Sequence, residues 1–196
     1  MDPSGGGSPW RYEIRLSGLG GQGLLLAGRL LAEAAALYDG LYATQTQSYG
    51  PESRGGDSRS DVVISDAPID YPHVIQADLL LAMSQMACDR NYYSLKRDGI
   101  LIVDAEQVRH VPTNRAFLVP ISRLAREEVG KAVVANVVAL GILVALSGVV
   151  SRRAITEAVL AGAPRGTEAL NRKALEVGFR AGEELRASRS SERKAG

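Results

Sequence analysis

Tyr12-Glu13-Ile14-Arg15-Leu16-Ser17-Gly18-Leu19-Gly20-Gly21-Gln22-Gly23-Leu24-Leu25-Leu26 is the stretch whose reading decides the fold. Tyr12 to Leu16 alternates apolar and charged residues, the two-residue period of a strand whose two faces meet different surroundings. Leu24 to Leu37 is rich in Leu and Ala, both strong helix formers, and Gly40 supplies a stop. Between them Gly18-Leu19-Gly20-Gly21-Gln22-Gly23 matches G-x-G-x-x-G. Glycines there let the chain turn tightly and bring bare backbone N–H groups up to a ligand, and the helix N-terminus adds partial positive charge suited to a phosphate. The alternative reading is that these glycines serve only the close packing of helix on sheet.

Outward from this unit the pattern repeats. Leu41 to Gln45 and Asp61-Val62-Val63-Ile64 read as strands, the latter ended by the turn residues Ser65-Asp66-Ala67-Pro68. Leu79 to Ala82 and Ile100 to Val103 are short uncharged runs, as in strands covered on both faces. Ser84 to Leu95 between them reads as helix, and Ala116 to Val119 as a last strand. Ser122 to Val150, Arg152 to Leu160 and Thr167 to about Leu185 then read as helical, broken at Gly130 and at Gly162-Ala163-Pro164-Arg165-Gly166. The expectation is an α/β fold: a Rossmann-like, doubly wound, mostly parallel sheet with a helical C-terminal layer. Residues 1–10 read as a disordered lead, 11–186 as a single domain and 187–196, charged and Ser-rich, as a disordered tail.

The chain has 196 residues, 23 Lys+Arg against 22 Asp+Glu, and one cysteine, Cys88. A net charge of +1 gives no general pull toward nucleic acid or an anionic membrane, so neither is expected as a partner. One thiol can neither close an intrachain disulfide nor hold an iron–sulfur cluster, and His73 and His110 are too isolated to suggest zinc. No metal site is expected. The N-terminus lacks the apolar stretch of a signal peptide, which points to the cytoplasm. Ala132 to Val150 approaches the length of a membrane span, but Asn136, Gly141, Ser147 and Gly148 interrupt it. A helix buried all round, or one reserved for a subunit interface, fits better and predicts that the isolated chain self-associates.

Binding of a dinucleotide would require an acid at the end of the second strand to hold the ribose hydroxyls. That region reads Ala43-Thr44-Gln45-Thr46-Gln47, with no acid and no arginine, so NAD is disfavoured. The following stretch, Thr46 to Ser60, combines hydroxyls, Tyr49, three glycines and two arginines with no apolar run. It reads as a loop outside the core, projecting from the C-terminal edge of the sheet beside the first glycine loop, where open α/β sheets bind ligands. Arg54 before Gly55-Gly56 offers a forked cation next to accessible backbone donors, a clamp for phosphate or carboxylate; an ordinary surface loop is the alternative.

Gly18-Leu19-Gly20-Gly21-Gln22-Gly23, followed by Gln47-Ser48-Tyr49-Gly50-Pro51-Glu52-Ser53-Arg54-Gly55-Gly56 and Val62-Val63-Ile64-Ser65-Asp66, resembles the gamma subunit of the 2-oxoacid:ferredoxin oxidoreductases. The likeness continues through Ala77 to Ala82, Gly99 to Asp104 and Asn136 to Gly141, from about Tyr12 to Gly182. Thr46 to Glu52 with Ile69-Asp70-Tyr71-Pro72 looks most like the 2-oxoglutarate branch; pyruvate, branched-chain and indolepyruvate members, and a purely structural assembly module, are the alternatives.

The resemblance implies a subunit of a complex that oxidatively decarboxylates a 2-oxoacid, joins the acyl group to coenzyme A and passes electrons to ferredoxin. It further implies alpha, beta and possibly ferredoxin-like delta partners, which carry thiamine diphosphate, Mg and the iron–sulfur clusters. This sequence lacks the Gly-Asp-Gly…Asn thiamine signature and has too few cysteines for a cluster. For coenzyme A or partner contacts it points to Gly18, Gly20, Gly21, Gln22 and Gly23 in the first loop and to Ser48, Tyr49, Gly50, Arg54, Gly55 and Gly56 in the second. Elsewhere, Asp104 reads as a helix cap, Asn136 as reaching either a partner or its own backbone, and Cys88 as an unreactive thiol. No nucleophile triad or carboxylate pair emerges, so no catalytic residue is expected on this chain.

Overall fold

The computed structural model describes residues 9–49 and 56–195. Six strands, β1 (Arg11–Leu19), β2 (Tyr42–Tyr49), β3 (Asp57–Ser65), β4 (Ala77–Ala82), β5 (Leu95–Asp104) and β6 (Phe117–Val119), form one sheet in the order β2-β3-β1-β4-β5-β6. β4, β5 and β6 run parallel to β1, and β3 is antiparallel to both β1 and β2. The sheet is mixed, with β3 alone reversed, because β2 and β3 are the two arms of a hairpin.

α1 (Leu24–Glu33) continues as a π-helical turn to Tyr38. α2 (Gln85–Asn91) is capped by the Ser84 hydroxyl, which accepts from the Ala87 amide at 3.1 Å. α3 (Ile121–Leu124), α4 (Ala135–Ser147), α5 (Arg152–Ala161) and α6 (Glu168–Ala195) form the C-terminal layer. α1, α4 and α5 pack on the sheet face lined by Ile14, Leu16, Val62, Ile64, Leu79 and Leu81, and α2 covers Leu80, Ala82, Leu101 and Val103 on the opposite face. α4 is buried on every side from Asn136 to Ala145, which explains its uniformly apolar sequence. Among the described residues no helix is long and apolar enough to cross a membrane.

α4 and α6 cross at glycines. A Cβ on Gly178 would lie 2.2 Å from the Val138 carbonyl oxygen, and one on Gly141 would lie 2.6 Å from that of Leu175. Only hydrogen on both helices permits backbones this close.

The structure differs from the sequence expectation in three places. Thr46 to Ser60 is not one loop: Thr46 to Tyr49 ends β2 and Asp57 to Ser60 begins β3, with Ser58 and Ser60 buried. Small polar residues suit this strand because Gly28 of α1 packs directly on Ser60, with no room for a Cβ between them. Leu95, expected to end a helix, begins β5. The stretch after Ala187 continues α6 through Ala195 rather than fraying. Ser188 and Ser190 hydroxyls donate back to the carbonyls of Glu184 and Arg186, and Arg189 stacks over Phe117 with its guanidinium carbon 3.7 Å from the ring centroid.

Candidate functional site

The glycine loop joins the C-terminal end of β1 to α1, and the start of β3 lies beside it. Leu19 pairs with Asp57, and the Gly20 amide donates to the Gly56 carbonyl at 3.0 Å. Both sequence-predicted regions therefore meet at one sheet edge. Gly50, Arg54 and Gly55 lie outside the described residues; Ser48 and Tyr49 close β2.

The glycines of the loop divide by role. A Cβ on Gly18 would sit 2.2 Å from Gln22 Oε1 and 3.0 Å from Met83 Cβ, so Gly18 is packed closely against both. Gly23 has φ +74° and a Cβ there would reach within 2.6 Å of Asn136 Nδ2, so it is constrained twice. Gly21 has φ +92°, and among the described residues nothing lies within 4 Å of where its Cβ would be. Among the described residues no side chain caps α1 and no acid sits in its first turn, an arrangement that suits an anion at the helix's positive end.

Gln22 is a strut. Its Oε1 accepts from the Leu19 amide at 2.7 Å and its Nε2 donates to the Met83 carbonyl at 3.0 Å, tying the loop to the end of β4. Asn136, which sequence could not assign, holds the other end: its Nδ2 donates to the Gly23 carbonyl at 3.2 Å and its Oδ1 accepts from the Val137 amide at 3.0 Å. Sequence also missed Ser17, whose hydroxyl donates to Asp57 Oδ1 at 3.0 Å and accepts from Asn91 Nδ2 at 3.1 Å, fastening β1 to β3 just below the loop. A serine immediately before the first glycine, on the same face of β1 as Glu13 and Arg15, was the available signal.

Asp104 is fully buried and structural. Its carboxylate accepts from the Glu106 amide and, at its other oxygen, from the Ser122 amide and hydroxyl, joining β5 to the start of α3. Cys88 is also fully buried, and burial followed by the nearby Asp89 charge raises its thiol pKa, so it carries little thiolate. Among the described residues no group of three or more His, Cys, Asp and Glu could hold a metal ion.

The pyruvate ferredoxin/flavodoxin oxidoreductase family matches residues 13–181. The chain belongs to that family. A 2-oxoglutarate synthase subunit, KorC, of Methanothermobacter thermautotrophicus is 50% identical over 183 residues, covering 89% of this chain and 95% of that protein. The KorC subunit of Methanocaldococcus jannaschii is 46% identical over 179 residues, covering 89% and 96%. The crystal structure of a keto/oxoacid ferredoxin oxidoreductase gamma subunit from Geobacter sulfurreducens superposes with a TM-score of 0.82 at 50% identity, over 88% of this chain and 97% of that one. The gamma-subunit resemblance read from the two loops is thereby borne out, and so is the α/β fold.

Proposed function

We propose that the chain is the gamma-type subunit of a 2-oxoglutarate:ferredoxin oxidoreductase and that the edge where the glycine loop meets the β2–β3 hairpin contacts coenzyme A. The observation that carries this reading is 46–50% identity to 2-oxoglutarate synthase subunits over nearly their whole length. Residues 11–186 act as one gamma-type domain in the cytoplasm. Alpha and beta partners, with a ferredoxin-like delta subunit where the complex has one, hold thiamine diphosphate, Mg and the iron–sulfur clusters and deliver electrons to ferredoxin. Coenzyme A supplies the thiol that takes the succinyl group.

The chain's own residues hold and orient. Gln22 and Asn136 fix the two ends of the glycine loop, and Gly21 between them takes the left-handed conformation that the turn requires. Ser48 and Gly56 stand beside that loop at the ends of β2 and β3, and the reading assigns Tyr49, Gly50, Arg54 and Gly55 to the same contact, with Arg54 the cation. In a reconstituted complex, Arg54→Ala is expected to raise the coenzyme A requirement about tenfold or more while assembly stays intact. Loss of assembly with an unchanged coenzyme A requirement would assign the loop to scaffolding instead.

A further inference from the structure

The sheet face away from α1 is polar over β1, β3 and β2. Arg15 and Asp61 are buried there in a bidentate pair, Nε to Oδ1 and Nη2 to Oδ2, both at 2.8 Å. Arg59 lies two residues before Asp61 on the same face, across from Ser48 on one side and Ser17 on the other. Its Nε is buried and has no hydrogen-bond acceptor among the described residues. Its charged neighbour is Asp61, 3.6 Å away, whose two oxygens are already taken by Arg15. Among the described residues, two guanidinium groups thus share the Asp61 carboxylate, and the Arg59 Nε–H is the donor left without an acceptor. A cleft of about 280 Å³ opens at this point, lined by Arg15, Thr46, Ser48, Arg59 and His73 and, on its floor, by the Asp61 carboxylate that Arg15 engages.

We infer that Arg59, with the Thr46 and Ser48 hydroxyls, forms a binding site for a phosphate group on this face. A buried N–H donor without an acceptor is costly and calls for a ligand oxygen. A forked cation beside two hydroxyls supplies several donors to one tetrahedral oxyanion. The site lies three residues from Gly56, which the glycine loop already contacts. Naming coenzyme A as the source of the phosphate rests on the function proposed above; the pocket's chemistry does not.

Two measurements test the site. Inorganic phosphate is titrated into the full-length chain while the Arg59 Nε–H resonance is followed, and KM for coenzyme A and for dephospho-coenzyme A, which lacks the 3′-phosphate, is measured in the assembled complex. The expected results are a saturable shift at millimolar phosphate that Arg59→Gln abolishes, and a rise of at least tenfold in the coenzyme A KM of that variant, with Thr46→Val intermediate and Arg59→Lys partly restored. A rise confined to coenzyme A puts the 3′-phosphate in the pocket, and an equal rise for both puts the diphosphate there. Phosphate binding with unchanged KM values upholds the pocket and refutes coenzyme A as its source. No phosphate shift with unchanged KM values overturns the inference. So does an Arg59→Gln variant that binds no less phosphate, or one that only fails to assemble, which would mark Arg59 as a docking contact for a partner carboxylate.

Discussion

Asn136 Nδ2 donates to the carbonyl oxygen of Gly23 at 3.2 Å, a bond between residues 113 apart in the chain. It ties the first turn of α4 to the residue that ends the glycine loop and starts α1. The loop is thus held by the C-terminal helical layer as well as by the sheet beneath it.

Asn136→Ala removes that bond and the one to the Val137 amide. The expected cost is about 1–2 kcal/mol, a fall of roughly 2–8 °C in Tm in a thermal scan. Coenzyme A KM should rise in the complex with kcat little changed, because the loop is loosened rather than removed. An unchanged KM would detach the loop from coenzyme A binding.

Gly178→Ala forces a methyl to 2.2 Å from the Val138 carbonyl, and backbone on both helices must shift. Overpacking of this kind costs about 1–3 kcal/mol or more. Among the described residues Gly21→Ala meets no atom within 4 Å, so the strain of φ +92° should dominate, at about 1–2 kcal/mol. Comparing their urea midpoints separates steric from conformational cost.

Arg15→Met leaves Asp61 buried and without its bidentate partner. Breaking a buried pair from one side costs about 3–5 kcal/mol, whereas replacing both members with apolar residues is often close to neutral. Arg59, 3.6 Å from Asp61, keeps that carboxylate partly paired, so chemical denaturation should place Arg15→Met at the lower end of this range and Arg15→Met/Arg59→Met well below it in stability.

The Tyr12 phenol is pushed up to about 12, first by burial and then by the Asp78 carboxylate. A tyrosine is unperturbed near pH 10 when unfolded, so its neutral form is favoured by folding. The stability it contributes is fully present below about pH 10 and is lost as pH rises toward 12. Tyr12→Phe should flatten the fall in Tm between about pH 9.5 and pH 11.5 relative to the parent chain.

The glycine loop, the strands around it and the buried α4 were legible because each has a local signature: a two-residue alternation, a glycine spacing, or an apolar run with its breaks. The reversal of β3 was not. Its first residues, Asp57 to Ser60, are as polar as a loop, because one face meets Gly28 through small side chains and the other carries the Arg15–Asp61–Arg59 cluster. Both facts depend on partners more than 25 residues away. The same holds for Gln22, which reads as a ligand contact in sequence and is bonded to Leu19 and Met83 in the fold. Asn136 is likewise assigned only by the position of Gly23.

The most direct test of the account is the rate of ferredoxin reduction by the partner subunits, assembled with and without this chain and supplied in turn with 2-oxoglutarate and pyruvate. The account predicts coenzyme A-dependent reduction that requires the chain and is at least tenfold faster with 2-oxoglutarate. Equal rates without the chain, or a preference for pyruvate, would contradict it.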